Sequence, residues 1–120
     1  MAVTLNHVNV RASNLEETIA FYVRAIGLTE GWRPSFGFSG AWLYAGETPV
    51  VHLTLEGRGT ASGSEGVAHI AFAFDDLDAA LKRLDQLGLR YSPPSRQPGT
   101  GLRQIFLVDP NGVAVELPGR

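Results

Sequence analysis

A strand–helix–hairpin programme written twice along 120 residues constrains this chain more than any other feature. Neither copy has enough apolar surface to stand alone, so each must pack on the other. In the first copy Leu5-Asn6-His7-Val8-Asn9-Val10 reads as a strand. A helix start follows at Ser13-Asn14-Leu15-Glu16, with Ser13 as the expected cap and Glu16 closing a capping box. Leu15, Ile19, Tyr22 and Ile26 supply its apolar stripe, and Gly27-Leu28 ends it. In the second copy Val67-Ala68-His69-Ile70-Ala71-Phe72 is the strand and Asp75-Asp76-Leu77-Asp78 the helix start. Leu77, Leu81, Leu84 and Leu87 form the stripe, and Gly88-Leu89 the end.

Overlaying the strands puts His7 on His69, an offset of 62, and the helix ends put Gly27 on Gly88, an offset of 61. The second helix is therefore one residue shorter. Each copy closes with a hairpin. The first runs Ala41–Tyr44, turns at Gly46-Glu47-Thr48-Pro49 and returns over Val50–Leu53. The second runs Gln104–Leu107, turns at Asp109-Pro110-Asn111-Gly112 and returns over Val113–Glu116, which places His52 on Glu116 at an offset of 64. Glu56 to Gly66, with four glycines and two serines, reads as a connector, and Ser92 to Gly101, with three prolines, as a surface loop. The expectation is an α+β fold in one domain, residues 1–120, with repeat units at about 1–58 and 66–120.

All three histidines fall at repeat-related strand positions, and the fourth such position is Glu116. Side chains alternate faces along a strand, so Val8 and Val10 oppose His7 and Asn9, and Val113, Val115 and Leu117 oppose Glu116. The apolar faces are expected to cover the helices. Two such sheets bending into an open cup would let His7, His52, His69 and Glu116 converge on its floor. Imidazole and carboxylate donors suit Zn, Ni, Fe, Mn or Co, with one or two positions left for water or substrate. The competing reading of any one of them is ordinary: a lone strand histidine is usually a hydrogen-bonded structural residue, and a lone terminal glutamate is usually solvated. Their shared register is what argues for a metal.

Composition narrows the rest. A net charge of −2 with a single lysine, Lys82, offers no basic field for nucleic acid or anionic lipid. The absence of cysteine removes disulfides and thiolate ligands. No stretch approaches the roughly 20 apolar residues of a membrane span, and Met1 to Val10 shows no leader, so a cytoplasmic location is expected.

Three segments carry a family resemblance: Leu5-Asn6-His7-Val8 with Ala20-Phe21-Tyr22, Val67 to Phe72, and Phe106-Leu107-Val108-Asp109-Pro110-Asn111-Gly112 leading to Glu116-Leu117. With them the chain resembles the vicinal oxygen chelate superfamily of glyoxalase I, the bleomycin-resistance proteins and the extradiol dioxygenases. The resemblance implies paired βαβββ units forming a cup-shaped mixed sheet with helices on the outer face. It also implies one divalent metal that chelates neighbouring oxygens of a small-molecule substrate, and a homodimer, with each metal site made either within one chain or from His7 and His52 of one subunit and His69 and Glu116 of another. In glyoxalase I the position of His52 is a glutamate, which can be part of the proton-transfer apparatus of such isomerases, and in the similar methylmalonyl-CoA epimerases a glutamine. At this position the chain departs from the pattern of both, and the resemblance does not carry over the detailed mechanism.

Isomerase or lyase chemistry through a metal-stabilised enediolate leads among the reactions, with Glu116 as the first candidate base and His52 the second. Extradiol ring cleavage on Fe(II) or Mn(II) held by His7, His69 and Glu116 is the alternative, with Tyr44 or Tyr91 as substitutes for a missing acid–base group. Fosfomycin-type transfer wants clustered cations that the chain lacks, and a metal-free drug-binding module would not need four ligand-type residues in register. For substrate contacts the reading selects Asn9, two residues from His7 on its face, Tyr44, and Arg103. Arg103 joins Glu116's face if Val108 pairs with Val113, although a salt-bridged or solvated arginine is the favoured reading of that residue. Trp32, Phe36, Phe38, Trp42 and Tyr44 are expected either in the core or as the roof of a pocket.

Overall fold

The computed structural model describes residues 5–55, 69–96 and 100–120. The connector from Glu56 to Gly66, and Val67 and Ala68 of the expected second-copy strand, lie outside them. Among the described residues the chain forms two four-stranded mixed sheets. The first contains β1 (Val8–Ala12), β2 (Thr29–Gly31), β3 (Gly40–Ala45) and β4 (Thr48–Leu55), in the order β1-β4-β3-β2. The second contains β5 (Ile70–Ala71), β6 (Ser95–Arg96), β7 (Arg103–Val108) and β8 (Ala114–Gly119), in the order β5-β8-β7-β6. The orders are identical under the repeat, and each unit is a βαβββ. The short strands β2 and β6 are the third strands that βαβββ units imply, though too brief to show alternation in the sequence; β6 lies in the segment read as loop. Among the described residues no helix is long and apolar enough to cross a membrane.

The first helix, α1 (Leu15–Ala20), is capped by Asn14, whose side chain accepts the Glu17 N–H at 3.0 Å. Ser13, the expected cap, instead donates its N–H to Asn111 Oδ1 at 3.0 Å. From Phe21 to Ile26 the helix widens into a π-helical segment, and the Gly27 N–H reaches back five residues to the Tyr22 carbonyl at 3.1 Å. The extra residue revealed by the offsets is absorbed there: a π turn takes up one residue without changing where the helix begins or ends. Gly27 closes it at φ 95, a left-handed conformation that a side chain would strain. The second helix, α2 (Leu77–Gln86), is regular and capped by Asp76, which accepts the Ala79 N–H at 3.0 Å.

Both helices and the inner faces of both sheets contribute to one core. Val10, Leu43, Val51 and Leu53 from the first sheet join Tyr22, Ile26, Leu77 and Leu84 from the helices and Ile105, Leu107, Val115 and Leu117 from the second. The units are also fastened by polar contacts. Asp109, 4% exposed, accepts the Tyr22 hydroxyl on Oδ2 at 2.9 Å. Its Oδ1 accepts the Asn111 and Val113 N–H groups at 2.7 and 2.8 Å. Asn111 donates to the buried Thr18 hydroxyl at 2.9 Å. The turn of the second unit is thus bound to the helix of the first.

This lock has a pH signature. Burial, then the Asp109 carboxylate beside it, hold the Tyr22 hydroxyl far above the ordinary tyrosine value of 10.0. A raised folded-state value means the protonated form is the one folding favours, so its stabilisation is complete below pH 10 and declines as pH rises above it. One such proton lowers stability by up to about 1.4 kcal/mol per pH unit. Urea unfolding from pH 9 to 11.5 is expected to show a decline that Tyr22→Phe makes shallower; identical slopes would contradict it.

Candidate metal centre

The strand register decides which side chains share a face. In the first sheet Asn9 lies opposite His52 in the parallel β1–β4 pair, and Trp42 lies opposite His52 in the antiparallel β3–β4 pair. Val10, Val51, Leu53 and Leu43 turn to the core, so His7, Asn9, His52, Thr54 and Trp42 lie on the far side. His52 sits in a stack of three rings, with His7 at 3.7 Å and Trp42 at 4.1 Å between centroids and both nearly parallel to it. Asn9 Nδ2 donates to Thr54 Oγ1 at 3.0 Å.

Hydrogen bonds set the tautomers. His7 Nδ1 donates to Asn6 Oδ1 at 2.6 Å, which leaves Nε2 carrying the lone pair. His52 Nε2 donates to the Pro49 carbonyl at 3.1 Å, which leaves Nδ1. Burial holds His52 below the ordinary histidine value; His7 and Arg33 push the same way, against the Pro49 carbonyl. A neutral imidazole is the form that ligates a metal.

The second sheet repeats the arrangement. Ala71 lies opposite Glu116 in the parallel β5–β8 pair and Phe106 opposite Glu116 in the β7–β8 pair. His69, two residues before Ala71, brings Nε2 to 3.1 Å from Glu116 Oε1, with Glu116 buried and His69 half-exposed. Phe106 sits edge-on to His69 at 5.8 Å. Phe106 is the repeat mate of Trp42, at the same offset of 64 that relates Glu116 to His52, so each ligand-bearing hairpin carries an aromatic across from its ligand. That regularity was open to sequence reading and was missed.

Within one chain the described residues form two pairs and no convergence of four, an arrangement that leaves the alternative of a site shared between two subunits. Among the described residues no three His, Asp or Glu groups lie close enough together to hold one ion. The reason is the shared core. Both sheets turn their apolar faces to it, which leaves His7 with His52, and His69 with Glu116, on the outer faces of separate sheets. The donor chemistry fits a divalent ion, two nitrogens on one face and a nitrogen and a carboxylate on the other, but one chain presents it as two halves.

Arg103 does not join Glu116. Val108 pairs with Ala114, not Val113, and Phe106 is the residue opposite Glu116. Asp109 and Val113 bond to each other within the turn, the Asp109 N–H to the Val113 carbonyl at 2.9 Å and the Val113 N–H to Asp109 Oδ1 at 2.8 Å. The register shift of one residue against the expected pairing puts the alternate side chains of β7 on Glu116's face. Arg103 therefore lies with Ile105 and Leu107 and pairs with Asp78 of α2 at 2.8 Å. Tyr91 is likewise turned to α2: its hydroxyl donates to Asp85 at 2.8 Å, a bond that holds its pKa above the ordinary value. Tyr44 lies on the site side of β3 but is tied to the Trp32 carbonyl at 2.6 Å. Trp32, Phe36 and Phe38 are exposed, not core.

Residues 4–117 match the Glyoxalase/Bleomycin resistance protein/Dioxygenase superfamily. The chain is 30% identical to glyoxylase I 4 of Arabidopsis thaliana, over 95% of its own length and 69% of that protein's. It is 32% identical to lactoylglutathione lyase of Salmonella typhimurium, over 94% and 90% of the two lengths. A crystal structure of a glyoxylase/bleomycin resistance protein/dioxygenase domain from Frankia sp. EAN1pec superposes with a TM-score of 0.81 at 17% identity, covering 98% of each chain.

Proposed function

Within the Glyoxalase/Bleomycin resistance protein/Dioxygenase superfamily, to which this chain belongs, we propose that the protein is a divalent-metal-dependent enzyme acting on a small molecule with vicinal oxygens, by isomerase or lyase chemistry. We further propose that His7 and His52 of one subunit act with His69 and Glu116 of a second. The observation that carries the reading is the His69–Glu116 contact at 3.1 Å, whose repeat mates, His7 and His52, are stacked on the other sheet. A homodimer reconciles two half-sites per chain with one complete donor set per ion. β1 and β5 are edge strands, and an apolar cavity of about 440 Å³ runs between them, lined by Val8, Val50, Ile70 and Phe72 among others; such edges invite a second copy.

His7 and His52 of one subunit with His69 and Glu116 of another would hold a divalent ion, which when bound would supply Lewis acidity toward a substrate carbonyl. Glu116, mostly shielded from water, accepts the proton of the neighbouring C–H at a carboxylate oxygen and returns it to the adjacent carbon. His69 Nε2 steadies the carboxylate, and His52 is the second candidate for proton transfer. Asn9 offers an amide to a substrate oxygen on the His7 face. The 32% identity to lactoylglutathione lyase supports isomerase or lyase chemistry. Aromatics beside both pairs, Trp42 and Phe106, favour ring cleavage as the second reading.

The test begins with elemental analysis of the purified protein. Wild type is expected to carry tightly bound metal, and His69→Ala to lose it, with affinity falling about 100-fold or more. Hemithioacetal turnover without oxygen uptake supports isomerisation. Oxygen uptake with catechols after Fe(II) loading moves the assignment to ring cleavage. Wild type without tight metal, and a melting temperature unmoved by added metal in both proteins, would defeat the central claim.

A further inference from the structure

Beside the His7–His52 pair the first sheet holds an arginine that this chemistry does not use. Arg33 lies between β2 and β3, with its guanidinium carbon 4.9 Å from the Phe36 ring centre and 5.2 Å from that of Phe38. Nη2 donates to the Phe38 carbonyl at 3.1 Å. The guanidinium packs so closely over Gly40 that a Cβ there would stand 2.9 Å from Nη2. One of its five N–H groups is therefore committed and its position is fixed. Among the described residues no carboxylate lies within ion-pair reach of it.

Arg33 borders a cavity of about 130 Å³ whose other walls include Phe36, Trp42, His52, Asn9 and Thr54. That is close to the roughly 150 Å³ of an apolar cavity that accepts benzene. Among the described residues, the site face of the strands around it, from Asn9 and Arg11 through His52 and Thr54 to Trp42 and Tyr44, contains no acid. A cavity bordered by the Phe36, Phe38, Trp42 and His52 rings, with an oriented fork of donors at its edge, suits an aromatic anion.

We propose that this cavity is a substrate subsite for a single aromatic ring bearing a carboxylate, with Arg33 as the residue that selects the anion. The inference rests on the reading that the His7–His52 face is the substrate face, and it names the substrate class as small aryl carboxylates. Arg33 is a specificity determinant here: it fixes which molecule enters, and the proton transfer belongs to other groups.

Calorimetric titration of chelator-treated protein with 3,4-dihydroxybenzoate and with 3,4-dihydroxybenzamide tests this without metal. Failure of the metal reading would show in elemental analysis and leave this measurement untouched. Wild type is expected to bind the acid at least about tenfold tighter than the amide, as a charge-assisted bidentate contact gives. Arg33→Gln should erase that preference by weakening the acid alone, and Arg33→Lys, which keeps the charge but not the fork, should fall between. No measurable binding of the acid to wild type, equal affinity for acid and amide, or equal loss of both in Arg33→Gln overturns the proposal.

Discussion

Replacing Asp109 by alanine is expected to destabilise the protein by about 3–5 kcal/mol, a large share of the stability of a domain this size. The carboxylate is buried and answers three donors: the Tyr22 hydroxyl and the N–H groups of Asn111 and Val113. Alanine strands all three in a buried site, at about 1–3 kcal/mol for each unpaired group before relaxation. Tyr22→Phe removes one donor and leaves Asp109 its two backbone bonds, so a smaller loss of about 1–2 kcal/mol is expected. Equilibrium urea unfolding of the three proteins at neutral pH gives the comparison. If Asp109→Ala costs under about 1 kcal/mol, the turn is not what holds the two units together.

The second large effect concerns assembly. A chain carrying His7→Ala and a chain carrying Glu116→Ala, each expressed alone, are expected to lose the metal and nearly all activity. Co-expressed with different affinity tags and isolated as a heterodimer, they are expected to regain one metal per dimer, about half the wild-type content. If each site draws on the first unit of one chain and the second of its partner, one site in the heterodimer carries both lesions and the other carries neither. A site made within one chain would leave every site damaged and the heterodimer inert. Failure to recover any mixed dimer would count equally against the shared site, because the arrangement requires the two chains to associate.

The fold was legible because its signal is redundant. Each unit is written twice, and where one copy is ambiguous the other fixes its elements. The one-residue difference between the offsets of 62 and 61 also corresponds to a local irregularity, the π-helical segment at Phe21–Ile26. A repeat can report an inserted residue, though not the form of its accommodation, which here is a π-helical segment carrying the buried Tyr22. The site was legible to the extent that strand alternation governs it. His7 and His52, and His69 and Glu116, are side by side because residues in register on one face of a sheet must be neighbours.

What sequence reading could not reach depends on interactions between elements far apart in the chain. The face of Arg103 went with the register of the β7–β8 hairpin, in which Val108 pairs with Ala114 and Asp109 bonds to Val113 within the turn, and that register leaves the arginine paired with Asp78. Arg33 stood out in neither copy, since its fixity comes from two phenylalanines and a glycine that meet only after β3 forms. By itself, the sequence determined two equivalent units, their strand faces and the pairing of ligand-type residues within each, because periodicity and register are local properties. Tertiary structure alone decided that both sheets turn inward onto one core and hold the two pairs apart, because burying the apolar faces of both units together outweighs any arrangement that would bring four polar side chains to one point within a single chain.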